Sequence, residues 1–316
     1  MGNRLLVLGW HNIDPTPGFP DPPGVGRLGF AKQLRMLSRF ATVLPLQTAL
    51  GLIEAGEPLP ARAVVLTFDD GYRDNLELGV PMLERHGLPA TFFLVPGFLS
   101  GTVGAWWEDL SAAFDRARAA TLEFGGTVYP LSTPAERETA HAAVRASLKT
   151  LDHAARVAEV ARVSELLAPA DSSVGEGLFM DWSGAKSLLA AGHEIGSHTV
   201  SHAILERETE PGQRVEMGES RAALEAGLGI TVDTLAFPNG SRADYSDVTT
   251  RVARDLGYRC AITTTAGLAS NGDSPYEMRR VVVTPTTDLA SVAEKGWRKA
   301  KGLVGRRLSS LTSRSS

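Results

Sequence analysis

Short apolar runs separated by helical stretches constrain the fold of this chain more than any other feature. Six such runs, at residues 5–8, 64–68, 91–95, 194–197, 234–237 and 260–263, are predicted as strands. Strands that alternate with helices favour a parallel sheet, because parallel neighbours need a crossover connection that is usually helical. The chain has 316 residues, 43% of them hydrophobic, which is enough for one elaborated α/β barrel. We predict a single such domain over residues 1–294.

The first polar motif, Thr-Phe-Asp-Asp-Gly-Tyr, follows a predicted buried strand. It places Asp69 and Asp70 at the strand end, where Gly71 permits a sharp turn. The ends of strands are where α/β enzymes keep their chemistry. Because successive strand residues point to opposite sides, we expect the two carboxylates to have different roles.

The second motif, Gly-Ser-His-Thr-Val-Ser-His, carries His198 and His202 four residues apart. On a helical turn this spacing would place both imidazoles on one face. With one carboxylate they form a His2Asp set, typical of catalytic zinc sites, in which the pKa of bound water falls to about 7. Asp-Asp-Gly alone is more often a turn, and an isolated pair of histidines is often structural. Both motifs beside predicted strands indicate a metal hydrolase.

The two motifs, at residues 67–72 and 198–202, resemble the first and second motifs of the polysaccharide deacetylases, the NodB-like carbohydrate esterases. The similarity includes residues 81–93 and 182–195, and it extends over about 5–283 with an interruption between about 100 and 178.

The resemblance implies a distorted (β/α)7 barrel with a helical insertion. It also implies that Asp69 is the general base, that Asp70, His198 and His202 are the metal ligands, and that an acetyl group is removed from an N-acetylated amino sugar. The expected cofactor is a divalent metal, most often Zn²⁺, although Co²⁺, Ni²⁺ or Fe²⁺ also suits such a ligand set.

The third motif departs from the family pattern. Where the family commonly has Arg-x-Pro-x-Gly, this chain has Ala-Phe-Pro238-Asn239-Gly240. Arg280, which also precedes a strand-like run, is therefore our candidate for the cation that braces the base. The backbone N–H of Asn239 would still serve as an oxyanion donor, since that role needs no side chain. We expect Pro238, Asn239, Gly240 and Tyr72 to contact substrate.

The family's late histidine motif is also missing, because no histidine follows His202. His11 comes directly after the first predicted strand and resembles the Tyr-His sequence of a circularly permuted branch of the family. We expect His11 to protonate the leaving amine. In the alternative interpretation it caps the first strand or is bonded in the barrel floor.

The segment between about residues 100 and 178 has a helical pattern, interpreted as a lid or substrate-shaping insertion. Thr133, Pro134 and Glu136 have the spacing of a capping box, and residues 135–167 indicate a surface helix or helical pair. Trp106 and Trp107 are predicted either to stack on a sugar ring or to anchor the insertion to the barrel.

Charge and composition limit the possible binding partners and the expected cellular location of the protein. The net charge of −4 and the absence of a basic stripe in the body of the chain argue against a nucleic acid partner. A single cysteine, Cys260, excludes an intrachain disulfide. Residues 295–316 contain Lys and Arg but no acid, which suits either a peripheral membrane contact or a frayed end. With no apolar run of signal-peptide or membrane-spanning length, we expect a cytoplasmic location, membrane-peripheral if the tail binds lipid.

Two other functions remain open. The chain could be a non-catalytic glycan-binding relative, because two motif residues are absent, although every metal ligand is retained. It could also hydrolyse another linear amide or a cyclic ureide with the same metal set. A haloacid-dehalogenase-type phosphatase is disfavoured because it needs Asp-x-Asp, which residues 69–71 do not provide.

Overall fold

The architecture was obtained from a computed structural model that describes residues 4–20, 25–167, 177–270, 272–284 and 286–292. In these ranges the strands are β1 Arg4–Trp10, β2 Thr42–Val43, β3 Ala63–Phe68, β4 Thr91–Leu94, β5 Thr121–Phe124, β6 Thr127–Pro130, β7 Glu194–Ser197, β8 Thr234–Ala236, β9 Cys260–Ile262, β10 Ala269–Ser270 and β11 Val281–Val282.

Helices connect most of these strands. They are α1 Val25–Phe40, α2 Leu46–Glu54, α3 Val80–Arg85, α4 Pro96–Leu99, α5 Trp106–Asp115, α6 Pro134–Leu148, α7 His153–Leu167, α8 Trp182–Ala190, α9 Glu210–Leu228 and α10 Asp247–Asp255. A π-helical segment, Asn75–Gly79, precedes α3, and short 3-10 turns occur at Leu205–Arg207 and Pro275–Glu277.

The main sheet is curled and almost entirely parallel. Its order is β10-β1-β3-β4-β7-β8-β9, with β2 beside β3 and β11 beside β1. Of these pairings, β1 with β10 is antiparallel and the others are parallel. After β9 the chain returns to β1, because Met278 bridges Ile262 and the following residues Val281 and Val282 pair with β1. This return closes a distorted (β/α)7 barrel, and the predicted fold and its six strands are confirmed.

The burial of β3 shows how the sequence pattern builds the barrel. All six of its residues are buried, and alternate side chains enter different cores. Val64 and Leu66 pack with α1, in the layer between sheet and helices. Ala63 and Val65 pack inside the barrel with residues of β1, β4, β8 and α2. Because β3 is packed by apolar side chains on both faces, it is held inside the fold, and the polar residues that follow it lie at the carboxyl end of the sheet.

The insertion has its own hydrophobic core and is only partly helical. Helices α5, α6 and α7 surround this core, and Thr133 forms the predicted capping box with Glu136. Of the two predictions for residues 135–167, a single surface helix or a helical pair, the pair is confirmed. The purely helical prediction is wrong at residues 121–130, where β5 and β6 form a hairpin. Gly125 and Gly126 have φ of 59° and 76°, which permits the tight turn between these strands.

The basic tail, residues 295–316, lies outside the described residues, so its membrane contact and the domain boundary at 294 stay predictions. Within the described ranges, no helix combines the length and the apolar character needed to cross a bilayer.

Candidate active site

The first feature of the site is a buried ion pair between Asp69 and Arg280. Asp69 directly follows β3, and its N–H donates to the Trp10 carbonyl at 2.9 Å. Arg280 Nη1 and Nη2 donate to the two carboxylate oxygens at 2.7 and 2.6 Å. Burial is the largest single effect and would raise the pKa of Asp69, but the charge and hydrogen bonds of Arg280, together with the nearby His198 and His11, outweigh it and lower that pKa below its usual range. The base candidate is therefore held ionised, and the structure brings together the two residues that the sequence analysis paired.

The second feature is a cluster of three ligand atoms. The φ of 72° at Asp70 turns its carboxylate away from that of Asp69. Asp70 Oδ1 lies 3.4 Å from His198 Nε2 and 3.3 Å from His202 Nε2. All three side chains are buried, and their ligand atoms lie within 4.8 Å of one another. Burial would raise the pKa of Asp70, yet the two histidines lower it well below its usual range.

The cluster has the chemistry of a cation site. Asp70 Oδ1 is buried without a hydrogen-bond partner. His198 Nδ1 lies 2.7 Å from the Ala236 carbonyl, which fixes this nitrogen as the N–H and leaves Nε2 with its lone pair directed at Asp70. A carboxylate oxygen and two imidazole nitrogens that converge in this way fit a divalent cation.

The histidines converge through a loop, so the predicted helical turn at residues 198–202 is wrong. Thr199 and His202 have φ of 64° and 58°, in the left-handed region. Glu216 on α9 holds this loop, because its carboxylate accepts from the N–H groups of Val200 at 3.1 Å and Ser201 at 3.0 Å and from the Ser201 hydroxyl at 2.6 Å. Sequence reasoning missed Glu216, which lies within an ordinary helical pattern and belongs to no motif.

His11 lies at the rim of the site. Its Nε2 is 3.9 Å from Asp69 Oδ2, and its side chain is 25% exposed. Two neighbours of the first motif fix its loop: Asn75 Nδ2 donates to the His11 carbonyl at 2.7 Å, and Asp74 accepts from the N–H groups of Ile13 and Asp14, both at 2.7 Å. This position beside the ion pair is open to a substrate, whereas the barrel floor would not be.

The two predicted tryptophans have different surroundings. Trp106 is 4% exposed in the core of the insertion, with the Arg156 guanidinium 5.5 Å from its ring centre. With so little of its surface exposed, the Trp106 ring is not available to stack on a sugar, and its cation contact lies within the insertion rather than on the barrel. The Trp107 ring lies 4.5 Å from the His202 ring, between the insertion and the cluster. Tyr72 is also buried, and its hydroxyl donates to Glu108 at 2.7 Å.

The third motif forms a tight turn after β8. Asn239 has φ of 56°, and its carbonyl accepts from the Thr264 hydroxyl at 2.7 Å. Within the described part of the chain its backbone N–H has no hydrogen-bond partner. Pro238 and Gly240 on either side are buried. An available N–H on a rigid turn is what an oxyanion donor requires.

Comparison with known proteins places this barrel in a family. The family model described as polysaccharide deacetylase matches residues 56–261, and the chain belongs to that family. YxkH of Bacillus subtilis, a relative named for the same family, is 22% identical over 284 residues, which are 89% of this chain and 72% of YxkH.

Solved structures show the same fold. The deacetylase PplD of Streptococcus pyogenes, determined in complex with acetate, has a TM-score of 0.63 at 17% identity, over 94% of this chain and 99% of PplD. IcaB of Ammonifex degensii has a TM-score of 0.58 at 20% identity, over 93% of this chain and 98% of IcaB.

Proposed function

We propose that this protein is a metal-dependent hydrolase that removes the acetyl group from an N-acetylated amino sugar. The observation that carries the proposal is that two adjacent carboxylates have different partners. Asp69 is ion-paired and held ionised, whereas Asp70 is directed at His198 and His202. Family membership supports the reaction class, and the acetate in the PplD structure corresponds to the product expected here.

The proposed ligands of the cation are Asp70, His198 and His202. The three ligand atoms are buried and converge, and Asp70 Oδ1 has no hydrogen-bond partner, which is the basis of this assignment. When bound, a divalent cation, expected to be Zn²⁺, would supply Lewis acidity and lower the pKa of water at the site.

The chain's own groups account for the proton transfers. Asp69 would accept a proton from the attacking water, and Arg280 would keep this carboxylate ionised and oriented until it does so. The Asn239 N–H would donate to the oxyanion that forms on the acetyl carbonyl. His11, as imidazolium, would donate a proton to the amide nitrogen as the bond to carbon breaks. Positioned acids or bases contribute about 10² to 10⁴ each, and an oxyanion donor about 10² to 10³.

The test is acetate release by zinc-loaded protein from N-acetylglucosamine monosaccharides, nucleotide sugars, lipid-linked sugars and oligomers. We expect Asp69→Asn to lose at least about 10²-fold in kcat, and His11→Ala to lose a similar factor. Asp255→Asn is the matched control, because Asp255 pairs with Arg214 on the surface.

Two results would contradict the proposal. Wild-type protein with stoichiometric zinc that releases no acetate from any sugar is not the proposed deacetylase. Release of a different acid from another linear amide, or ring opening of a cyclic ureide to the open-chain ureido acid, would instead identify the alternative hydrolase.

A further inference from the structure

A buried carboxylate of the insertion lies outside every motif. Glu108, in the first turn of α5, is 1% exposed. It accepts three hydrogen bonds: from the Thr16 hydroxyl at 2.8 Å, the Gly18 N–H at 2.7 Å and the Tyr72 hydroxyl at 2.7 Å. A glutamate in this turn of a helix often reaches back to the N-terminal backbone. Here it is directed to two other segments, the loop after β1 and the turn after β3.

Each of these contacts leads to a group at the site. Tyr72 donates to Glu108 and accepts from Trp107 Nε1 at 3.0 Å, and the Trp107 ring packs against His202. Thr16 and Gly18 hold the loop whose Phe19 ring lies 5.7 Å from the His11 ring. Glu108 therefore connects the proposed acid on one side with a proposed metal ligand on the other.

The loop and the helix approach each other very closely. A Cβ at Gly18 would lie 2.8 Å from Trp107 Cδ1 and 2.9 Å from Glu108 Cδ, both too short for a real contact. Only a residue without a side chain allows the Gly18 N–H to reach the carboxylate in this packing. This fit shows that the contact depends on both partners, one from the barrel loop and one from the insertion.

We propose that Glu108 is a positioning residue that fixes the loop of His11 and the Trp107 side chain, so that the insertion is part of the active site. The proposal rests on the proposed deacetylase function. A carboxylate suits this task because it accepts only, and three donors from different segments converge on it. Hydrogen bonds to a charged acceptor are about twice as strong as hydrogen bonds between neutral groups. The carboxylate therefore favours a single position of the loop.

Glu108→Gln tests the contact with little change of shape. The amide oxygen can still accept from Thr16 and Tyr72, but the amide NH2 would face the Gly18 N–H, donor against donor. We expect kcat to fall about 10- to 100-fold with KM within about threefold, since a displacement of about 1 Å can cost about 10² in rate. Hydrogen exchange of peptides that span residues 12–20 should become faster. Glu159→Gln, on α7 in an exposed pair with Arg162, is the control and should leave both readouts unchanged.

Gly18→Ala is a second variant that leaves Glu108 intact. It should push the loop away from Trp107 and Glu108 and reproduce the fall in kcat and the faster exchange. A kcat within twofold of wild type in both variants would overturn the proposal, as would unchanged exchange over residues 12–20. Lower thermal stability with unchanged kcat per folded molecule would show a structural role instead.

The test of the positioning role of Glu108 can fail or succeed independently of the test of the proposed function. If wild-type protein releases no acetate, the deacetylase proposal fails, and hydrogen exchange alone decides whether Glu108 holds the loop. If wild type is active and Asp69→Asn is not, the kcat values of the Glu108→Gln and Gly18→Ala variants test the positioning role directly.

Discussion

Gly9→Ala is expected to separate Arg280 from Asp69 without changing either residue. Gly9 lies in β1, where its neighbours across the sheet are Thr67 of β3 and Val282 of β11. A Cβ at this position would lie 2.7 Å from Arg280 Cδ, 3.0 Å from Nε and 3.1 Å from Cζ. Non-bonded carbon atoms settle at about 3.5 to 4.0 Å, so the side chain of Arg280 would have to move by about 1 Å.

The ion pair has little room for that movement. Its two hydrogen bonds are 2.6 and 2.7 Å long, and Arg280 is also tied to Thr67 at 3.2 Å and, by its backbone, to the Thr265 carbonyl at 3.1 Å. Overpacking alone costs about 1 to 3 kcal/mol, and loss of one partner of a buried ion pair costs about 3 to 5 kcal/mol. We therefore expect the free energy of unfolding to fall by about 1 to 5 kcal/mol. We expect kcat to fall about 10²-fold.

Urea unfolding and acetate release measure the two effects. Gly51→Ala is the control, because a Cβ there meets no atom within 4 Å and the helical position should gain up to about 1 kcal/mol. In an Arg280→Ala background, Gly9→Ala should cost little, since the clash is gone and the two changes are strongly non-additive. Wild-type stability and activity in Gly9→Ala would refute the reasoning.

Four further substitutions test other parts of the structure. His202→Ala should lower zinc affinity by at least 10²-fold in calorimetric titration, and Glu216→Gln by about 10-fold, because the carboxylate holds the histidine loop. Burial raises the pKa of Asp74 to about 6, against the opposing effect of its backbone hydrogen bonds and above the 3.8 of an unperturbed carboxyl. The contribution of Asp74 to the free energy of unfolding is therefore fully present below about pH 4, and up to about 3 kcal/mol of it is lost as the pH rises through 6. Asp74→Asn should remove this pH dependence, which urea unfolding between pH 4 and 7 would measure. Thr133→Ala should cost about 1 kcal/mol in the same assay, since it removes the capping box of α6.

Local patterns in the sequence were sufficient for the six predicted strands and for the two motifs. Each of these six strands follows a short, largely apolar run of the sequence that is buried in the barrel. Asp69 and Asp70 follow such a run directly, so their place at the carboxyl end of the sheet could be predicted. The hairpin at residues 121–130 was missed because Gly-Gly was not recognised as a tight turn between two short strands.

The path between His198 and His202 could not be read from their spacing. A separation of four residues suits a helical turn, yet the chain takes left-handed conformations at Thr199 and His202. These conformations are held by Glu216, a residue of a different element. Spacing indicated that the histidines could meet, and a tertiary contact decided how they do.

The sequence by itself was enough to predict six of the barrel strands, the three proposed ligands and the proposed base, because these depend on residues close together in the chain or on motifs with a known order. The sequence could name Arg280 as a supporting group but not Glu108, and the tertiary structure decided how both make their contacts. Arg280 reaches Asp69 across 211 positions only because the last strand returns to β1, and Glu108 meets Gly18 across 90 positions only because α5 packs against the loop after β1. Such contacts are set by barrel closure and side-chain packing, which leave no periodic signal in the sequence.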